Sequence, residues 1–138
     1  MRGATKMLLV DTNVLAYLLI EGDQTRNAQA LFALDGQWCS EGFVLVEFSN
    51  MLATYTRTGA LRAQQGIGLL GEARALLSTV HNVRHEVALD TAMEFNISAY
   101  DARFVATAIE MRTKLITEDA RLRHAAPTWT MSISIALH

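Results

Sequence analysis

The chain has little of the residues that cross-link a protein or interrupt its secondary structure. It contains one proline and one cysteine. The single Cys39 cannot form an internal disulfide, so we expect a reducing, cytoplasmic setting. The longest apolar run, residues 14–20, is far shorter than the roughly 20 residues that cross a bilayer. No small-residue cleavage site follows the first apolar stretch, so we expect neither a signal peptide nor a membrane partner.

Lysine is also scarce, with two lysines against ten arginines and a formal net charge of −2. This balance excludes a protein that coats nucleic acid by bulk positive charge, although it allows an enzyme that acts on nucleic acid at a local site.

Hydrophobic residues make up 51% of the chain and charged residues 19%, which excludes intrinsic disorder. Without a linker, repeat or low-complexity tract, residues 1–138 are expected to form a single domain.

Short apolar runs alternate with helical patterns along the chain. Strands are predicted at residues 6–10, 38–39, 80–83, 114–117 and 131–135. Helices are predicted at residues 13–20, 25–34, 41–57, 62–78, 86–95, 98–112 and 118–123. Thr12 or Asn13 is the expected cap of the first helix. Strands interleaved with helices indicate an α/β fold, in which a central, mostly parallel sheet is covered on both faces.

Four carboxylates occur in apolar surroundings. Asp11 follows the first predicted strand and Asp119 follows the fourth. In open α/β sheets, ligands bind at the carboxyl ends of the strands, so both acids are expected at one edge. Glu47 lies on the apolar stripe of its helix, and Asp101 shares a helix face with Phe104. An unpaired carboxylate is costly at such positions.

Each of these acids also has a purely structural explanation. Asp11 and Asp119 could cap the helices that follow them. Asp101 could stabilise the positive N-terminus of its helix. For Glu47, the corresponding explanation is a buried ion pair with an arginine. The convergence of all four acids on one region nevertheless favours a common site.

The chemistry of this set favours a hard cation. Carboxylate oxygens suit Mg²⁺ or Mn²⁺, whereas zinc prefers histidine or cysteine. His81, His85 and His124 are interpreted as surface residues. The remaining acids flank turns or polar faces, and most of them are expected to be solvated. Two of them, Glu118 and Asp23, are candidates for accessory members of the acidic site. These remaining acids are Glu21, Asp23, Asp35, Glu41, Glu72, Glu86, Asp90, Glu94, Glu110 and Glu118.

The segments that contain the four acids resemble the PIN-domain ribonucleases, in particular the VapC toxins of type II toxin–antitoxin systems. The matching segments are residues 10–15 (VDTNVL), 46–48 (VEF), 99–106 (AYDARFVA) and 115–119 (LITED). They occur in the family's order and extend over nearly the whole chain. Thr113 stands where relatives often have a glycine, which affects a turn rather than the chemistry.

This resemblance implies a PIN-like, three-layer α/β/α fold and Mg²⁺- or Mn²⁺-dependent hydrolysis of RNA. It also implies a cognate antitoxin and a homodimer. The metal ligands that it implies are Asp11, Asp101 and Asp119. The full catalytic set that it implies is Asp11, Glu47, Asp101 and Asp119, supported by Thr12, Asn13 and Thr117.

Other classes of α/β protein fit the sequence less well. Two-component receivers use paired acids after the first strand together with a late lysine, but Asp11 is unpaired and no suitable lysine follows. Haloacid-dehalogenase-like phosphatases need an Asp-x-Asp motif, where this chain has Asp11-Thr12-Asn13. A non-catalytic PIN-fold module that binds RNA or protein stays open as the alternative, although such modules usually lack some of the acids.

Overall fold

The computed structural model describes residues 7–138, so the predicted strand start at Lys6 lies outside the described residues. The strands are Leu8–Val10 (β1), Trp38–Glu41 (β2), Thr79–His81 (β3), Leu115–Ile116 (β4) and Thr130–Met131 (β5). The α-helices are Thr12–Leu19 (α1), Thr25–Leu34 (α2), Phe43–Arg57 (α3), Ala63–Leu76 (α4), His85–Phe95 (α5), Ala99–Met111 (α6), Ala120–Ala125 (α7) and Ile133–Ala136 (α8). A 3-10 turn at Pro127–Trp129 precedes β5.

The five strands form one parallel sheet in the order β3-β2-β1-β4-β5. The central strand β1 pairs with β4, where Leu9 lies opposite Leu115. Leu9, Val10, Leu115 and Ile116 are all buried. Strands that are apolar at every position are typical of parallel sheets that are covered on both faces. For this reason, the short apolar runs in the sequence predict buried parallel strands.

The order of the strands explains the layers. The chain moves outward from β1 to β3, returns to the centre at β4 and ends at β5. Because crossovers between parallel strands are right-handed, this reversal places α1 to α4 on one face and α5 to α7 on the other. Within these layers α1 packs on α2, α3 packs on α4, and α5 packs on α6. The predicted three-layer α/β/α fold with a central parallel sheet is confirmed.

None of the helices within residues 7–138 combines the length and the apolar character needed to cross a bilayer.

The reversal of the strand order has a functional consequence. It opens a crevice outside the carboxyl ends of β1 and β4, which is the usual ligand site of open α/β sheets.

The predicted strand at residues 131–135 is wrong in most of its length. The structure has a two-residue strand, Thr130–Met131, followed by the short helix α8. The alternation of serine and isoleucine favours a strand, but Ser132 caps α8 by accepting a hydrogen bond from the Ile135 backbone N–H at 3.2 Å. The Glu118 carboxylate accepts from the Ile133 N–H at 2.8 Å. These hydrogen bonds satisfy the first turn of the helix and outweigh the local pattern.

Several boundaries also differ from the prediction because polar side chains stand before the helices. Asp119 caps α7, which therefore begins at Ala120 rather than at residue 118. Ser98 caps α6 in the same way. Asp11, rather than Thr12 or Asn13, caps α1. The predicted helix at residues 41–57 begins at Phe43, because Glu41 belongs to β2.

Glu41, which the sequence places among solvated acids, is fully buried, and this expectation is wrong. One carboxylate oxygen, Oε1, accepts a hydrogen bond from the Phe43 N–H at 2.6 Å. The other, Oε2, accepts from the Val83 N–H at 2.9 Å and from Arg103 Nε at 3.1 Å. Arg103 Nη2 donates in turn to the Val83 carbonyl at 2.7 Å. The ion pair therefore ties together the end of β2, the start of α3, the loop before α5, and α6.

Replacing Arg103 with alanine would leave the Glu41 carboxylate buried without its cation. Removing one partner of a buried ion pair costs about 3–5 kcal/mol. We expect Arg103→Ala to lower the melting temperature by about 10 °C or more. Thermal denaturation followed by circular dichroism measures this. Arg84→Ala is the matched control, because its ion pair with Glu86 is exposed and contributes little. Equal, small shifts in both variants would contradict the structural role of Glu41.

Candidate active site

Two carboxylates reach the crevice from the ends of the central strands. Asp11 follows β1 directly, and its side chain accepts a hydrogen bond from the Val14 N–H at 3.0 Å. Asp119 follows β4 and accepts from the N–H groups of Arg121 and Leu122 at 3.0 and 3.2 Å. Both acids therefore cap helices, as the structural explanation allows, and both also line the same cleft. Capping does not remove either carboxylate from the site.

Two helices supply the other acids. Glu47 lies one turn into α3, and its Oε1 accepts a hydrogen bond from the Thr12 hydroxyl at 2.5 Å. Asp101 lies in the first turn of α6, which Ser98 caps by accepting from the Asp101 N–H at 3.0 Å. The positive N-terminus of a helix favours a carboxylate at this position. Glu47 has the Thr12 hydroxyl as its partner rather than an arginine.

All four acids line one cleft of about 540 Å³. The supporting residues predicted from the sequence lie around it. Thr12 and Asn13 line the cleft with the acids. The Thr117 hydroxyl hydrogen-bonds to the Asp11 carboxylate and accepts from the Asp119 N–H at 3.1 Å. It therefore joins the two acids at the strand ends.

Some of the residues considered from the sequence lie outside the cleft. Glu118, an accessory candidate, uses its carboxylate at the start of α8 and does not line the cleft. Asp23, the other accessory candidate, is exposed and does not line it either. His81, His85 and His124 also lie elsewhere. Among the lining residues in the range 7–138 there is neither a lysine nor an arginine, so no described side chain of the cleft neutralises the four acids.

This arrangement opposes ionisation of the acids. The pKa of Asp11 is raised to about 6, mainly by burial and to a smaller extent by the charges of Glu47 and Asp119. The hydrogen bonds from Thr117 and Val14 lower this pKa but do not offset the rise. Burial also raises the pKa of Glu47, and the charge of Asp101 adds to this shift. The pKa of Asp101 is raised by burial and by the charge of Asp119. A bound cation would relieve this mutual repulsion.

The donor set fits a hydrated hard cation. Within residues 7–138, no group of three or more Asp, Glu, His or Cys side chains is arranged to hold a metal ion directly. Mg²⁺ usually keeps several waters and takes only one or two protein carboxylates, and oxygen is its preferred ligand. The four acids are therefore suited to holding an ion partly through water. The ligand roles assigned to Asp11, Asp101 and Asp119 remain predictions.

One feature of the rim is missing from the sequence analysis. The rings of Phe43 and Tyr100 stack with their centroids 5.3 Å apart and their planes 12° apart. Tyr100 is 62% exposed although it directly precedes Asp101. Its place beside a predicted site residue is the only sequence signal that could have drawn attention to it, because the partner ring comes from a distant part of the chain.

Comparison with known proteins identifies the family. The PIN domain model matches residues 8–127, which is most of the chain. The chain therefore belongs to the PIN domain family. Among curated proteins it is similar to Ribonuclease VapC3 from Pyrobaculum aerophilum, with 25% identity over 124 residues, 87% of this chain and 95% of that relative.

Two solved structures show the same fold. PAE2754 from Pyrobaculum aerophilum superposes with a TM-score of 0.79 at 18% identity, over 98% of this chain and 96% of that one. VapBC2 from Rickettsia felis, solved bound to a DNA fragment from its promoter, gives a TM-score of 0.69 at 15% identity, over 92% and 98%. Both match nearly the whole length of this chain.

Asp11→Asn tests the electrostatics of the cleft. Because burial raises the pKa of Asp11 from 3.8 to about 6, its ionisation opposes folding. The stability that the protonated group contributes is present below about pH 4 and lost as the pH rises through about 6. In EDTA at pH 7.5 we expect the asparagine variant to melt a few degrees higher than the wild type, and this difference to fall by about half at pH 5.

The control for this experiment is Asp90→Asn, which removes an exposed carboxylate on α5. It should show no comparable gain in melting temperature at either pH. An Asp11→Asn variant that melts lower than the wild type at pH 7.5 would show that the carboxylate stabilises the fold, contrary to the electrostatics derived above.

Proposed function

We propose that this chain is a Mg²⁺- or Mn²⁺-dependent ribonuclease and the toxin of a type II toxin–antitoxin system. The observation that carries the proposal is the cleft in which four carboxylates from four separate elements meet, with no lysine or arginine among its lining residues in the described part of the chain. Membership of the PIN domain family supports it, as does the similarity to Ribonuclease VapC3.

The proposed reaction is attack of water on an RNA phosphodiester, which leaves 5′-phosphate and 3′-hydroxyl ends. A divalent cation in the cleft would lower the pKa of a bound water and neutralise charge that gathers on the phosphate oxygens. Asp11 and Asp119 would hold this ion, with Asp101 acting directly or through water.

The residues around these acids have positioning and proton-transfer roles in this proposal. Glu47 would orient the attacking water and accept its proton, since its raised pKa brings it closer to neutral pH. The Thr12 hydroxyl holds one Glu47 oxygen in place. The Thr117 hydroxyl would keep Asp11 and Asp119 close together at the ends of the central strands, because it contacts both residues.

Cleavage of a labelled, mixed-sequence RNA tests this function. We expect cleavage in Mg²⁺ or Mn²⁺ and none in EDTA. Asp119→Asn should lower the rate by about 100-fold or more, since it weakens metal binding. Asp90→Asn should cleave as the wild type does, because this acid is exposed and does not line the cleft.

Two outcomes would contradict the proposal. Cleavage that persists in EDTA and in Asp119→Asn would exclude the metal site. RNA that is bound but not cleaved in either metal would favour the alternative, a non-catalytic PIN-fold module that binds RNA or protein.

We further propose that a cognate antitoxin inhibits the enzyme by placing an arginine or lysine among the four acids. Such a cation would form charge-assisted hydrogen bonds with the carboxylates and occupy the place of the metal. The fold that this chain shares with VapBC2 is compatible with such a complex. A crystal structure of the complex should show the cationic group within hydrogen-bond distance of at least one of these acids. An open, metal-loaded cleft in that complex would contradict the mechanism.

The remaining expectations from the sequence are also part of the proposal. The chain is proposed to act in the cytoplasm as a homodimer of single-domain subunits. Cys39 is buried, and burial raises the pKa of its thiol to about 11. The thiol therefore stays protonated and unreactive, which is compatible with a reducing compartment.

A further inference from the structure

A second cavity of about 500 Å³ lies beside the acid cleft and shares a wall with it. Three residues, Phe43, Val46 and Tyr100, line both cavities. On the acid side, this wall faces carboxylates. On the other side it faces a mainly apolar space that the Asn82 amide and the His85 imidazole also line. The ion-paired side chains of Glu41 and Arg103 complete the polar part of this lining, and Arg103 Nη1 lies 3.4 Å from His85 Nδ1.

The shared wall is aromatic and exposed. Tyr100 is 62% exposed and Val46 is 58% exposed. The Phe43 ring stacks on Tyr100 with only 12° between the ring planes, so it covers one face of the tyrosine. A stacked pair of this kind presents a flat apolar surface at the edge of the site.

The helices that carry the wall are anchored to the buried Glu41. Phe43 begins α3 and donates its N–H to the buried Glu41. Arg103, which binds the same carboxylate, lies less than one turn beyond Tyr100 on α6. One ion pair therefore anchors the two helix segments that carry the rings, and a surface anchored in this way loses less conformational entropy when a ligand binds.

We propose that this wall and the cavity behind it form a nucleobase-binding subsite for a nucleotide adjacent to the cleaved bond in single-stranded RNA. The inference rests on the proposed ribonuclease function. A nucleobase has flat faces that stack on aromatic rings and a polar edge that the Asn82 amide and the His85 imidazole can recognise. Bases within a duplex are stacked on one another and cannot enter such a cavity, so the substrate is unpaired RNA.

The wall adjoins the acids of the cleft, and this favours RNA over a protein partner as the occupant of the second cavity. Tyr100 and Asp101 are consecutive residues and line the acid cleft together. A phosphate at the acids therefore places its own nucleoside beside the wall. Gly42 maintains the rim, because a methyl group at this position would overlap the side-chain oxygen of Asn82.

Steady-state cleavage of a short RNA by Tyr100→Ala is the first test. Loss of base stacking should raise KM by about 5- to 150-fold. The value of kcat should change little, because the contact is made equally in the ground state and the transition state. Tyr100→Phe keeps the ring and should restore most of the lost affinity. Met93→Ala is the control, since Met93 is 65% exposed and lines neither cavity.

A fluorescent base locates the contact without cleavage. In EDTA, an Asp119→Asn protein is titrated with short RNAs that carry 2-aminopurine at successive positions. Emission should fall on binding at one position, and the fall should be lost when Tyr100→Ala is added. Gly42→Ala, which displaces the Asn82 amide, should weaken binding of some bases more than others.

The outcomes separate this inference from the proposed function. Unchanged KM in Tyr100→Ala together with unchanged 2-aminopurine emission overturns the subsite. If Tyr100→Ala weakens only the antitoxin and leaves the KM for RNA unchanged, the cavity belongs to a protein partner and the proposal is wrong. If the wild type cleaves no RNA but the Tyr100-dependent change in emission is present, the nuclease function fails and the subsite is supported.

Discussion

The geometry of the cleft depends on the buried ion pair between Glu41 and Arg103. Glu41 closes β2 and receives the first N–H of α3, while Arg103 belongs to α6. Glu47 and Asp101 lie within about a turn of these anchor points on the same two helices. A buried ion pair is favourable only when its polar atoms are satisfied. The Glu41 carboxylate meets this condition with three hydrogen bonds, and it thereby fixes the spacing of α3 and α6.

Glu41 and the cleft acids differ in how their negative charge is compensated. Glu41 is fully buried and has its own arginine. Asp11 is almost as buried, but its partners are a hydroxyl, a backbone N–H and two other acids that repel it. The fold therefore tolerates an unfavourable concentration of negative charge in the cleft, while Arg103 neutralises Glu41, which lies only six residues before Glu47. Carboxylates whose pKa values are raised within a cleft are typical of candidate functional sites.

Much of this architecture can be predicted because it follows from local patterns. Short apolar runs predict parallel strands, and the acids that follow β1 and β4 must meet at one edge of the sheet. The rest depends on contacts between distant segments. Nothing near Glu41 in the sequence shows that Arg103 covers it, and the stacking of Phe43 on Tyr100 requires two helices from different layers. The short helix α8 replaces a predicted strand for the same reason, because its first N–H finds a distant carboxylate.

The strand order also pairs segments that lie far apart along the chain. β1 lies between β2 and β4, yet Leu9 and its partner Leu115 are near opposite ends of the chain. The β1–β2–β3 half can assemble from nearby segments, but one apolar edge of β1 stays open until β4 docks. Long-range parallel pairing is slow, and an open edge favours self-association. The pairing of β4 with β1 covers this edge and also brings Asp119 to the other acids, so the same contact protects the sheet and completes the acidic cleft.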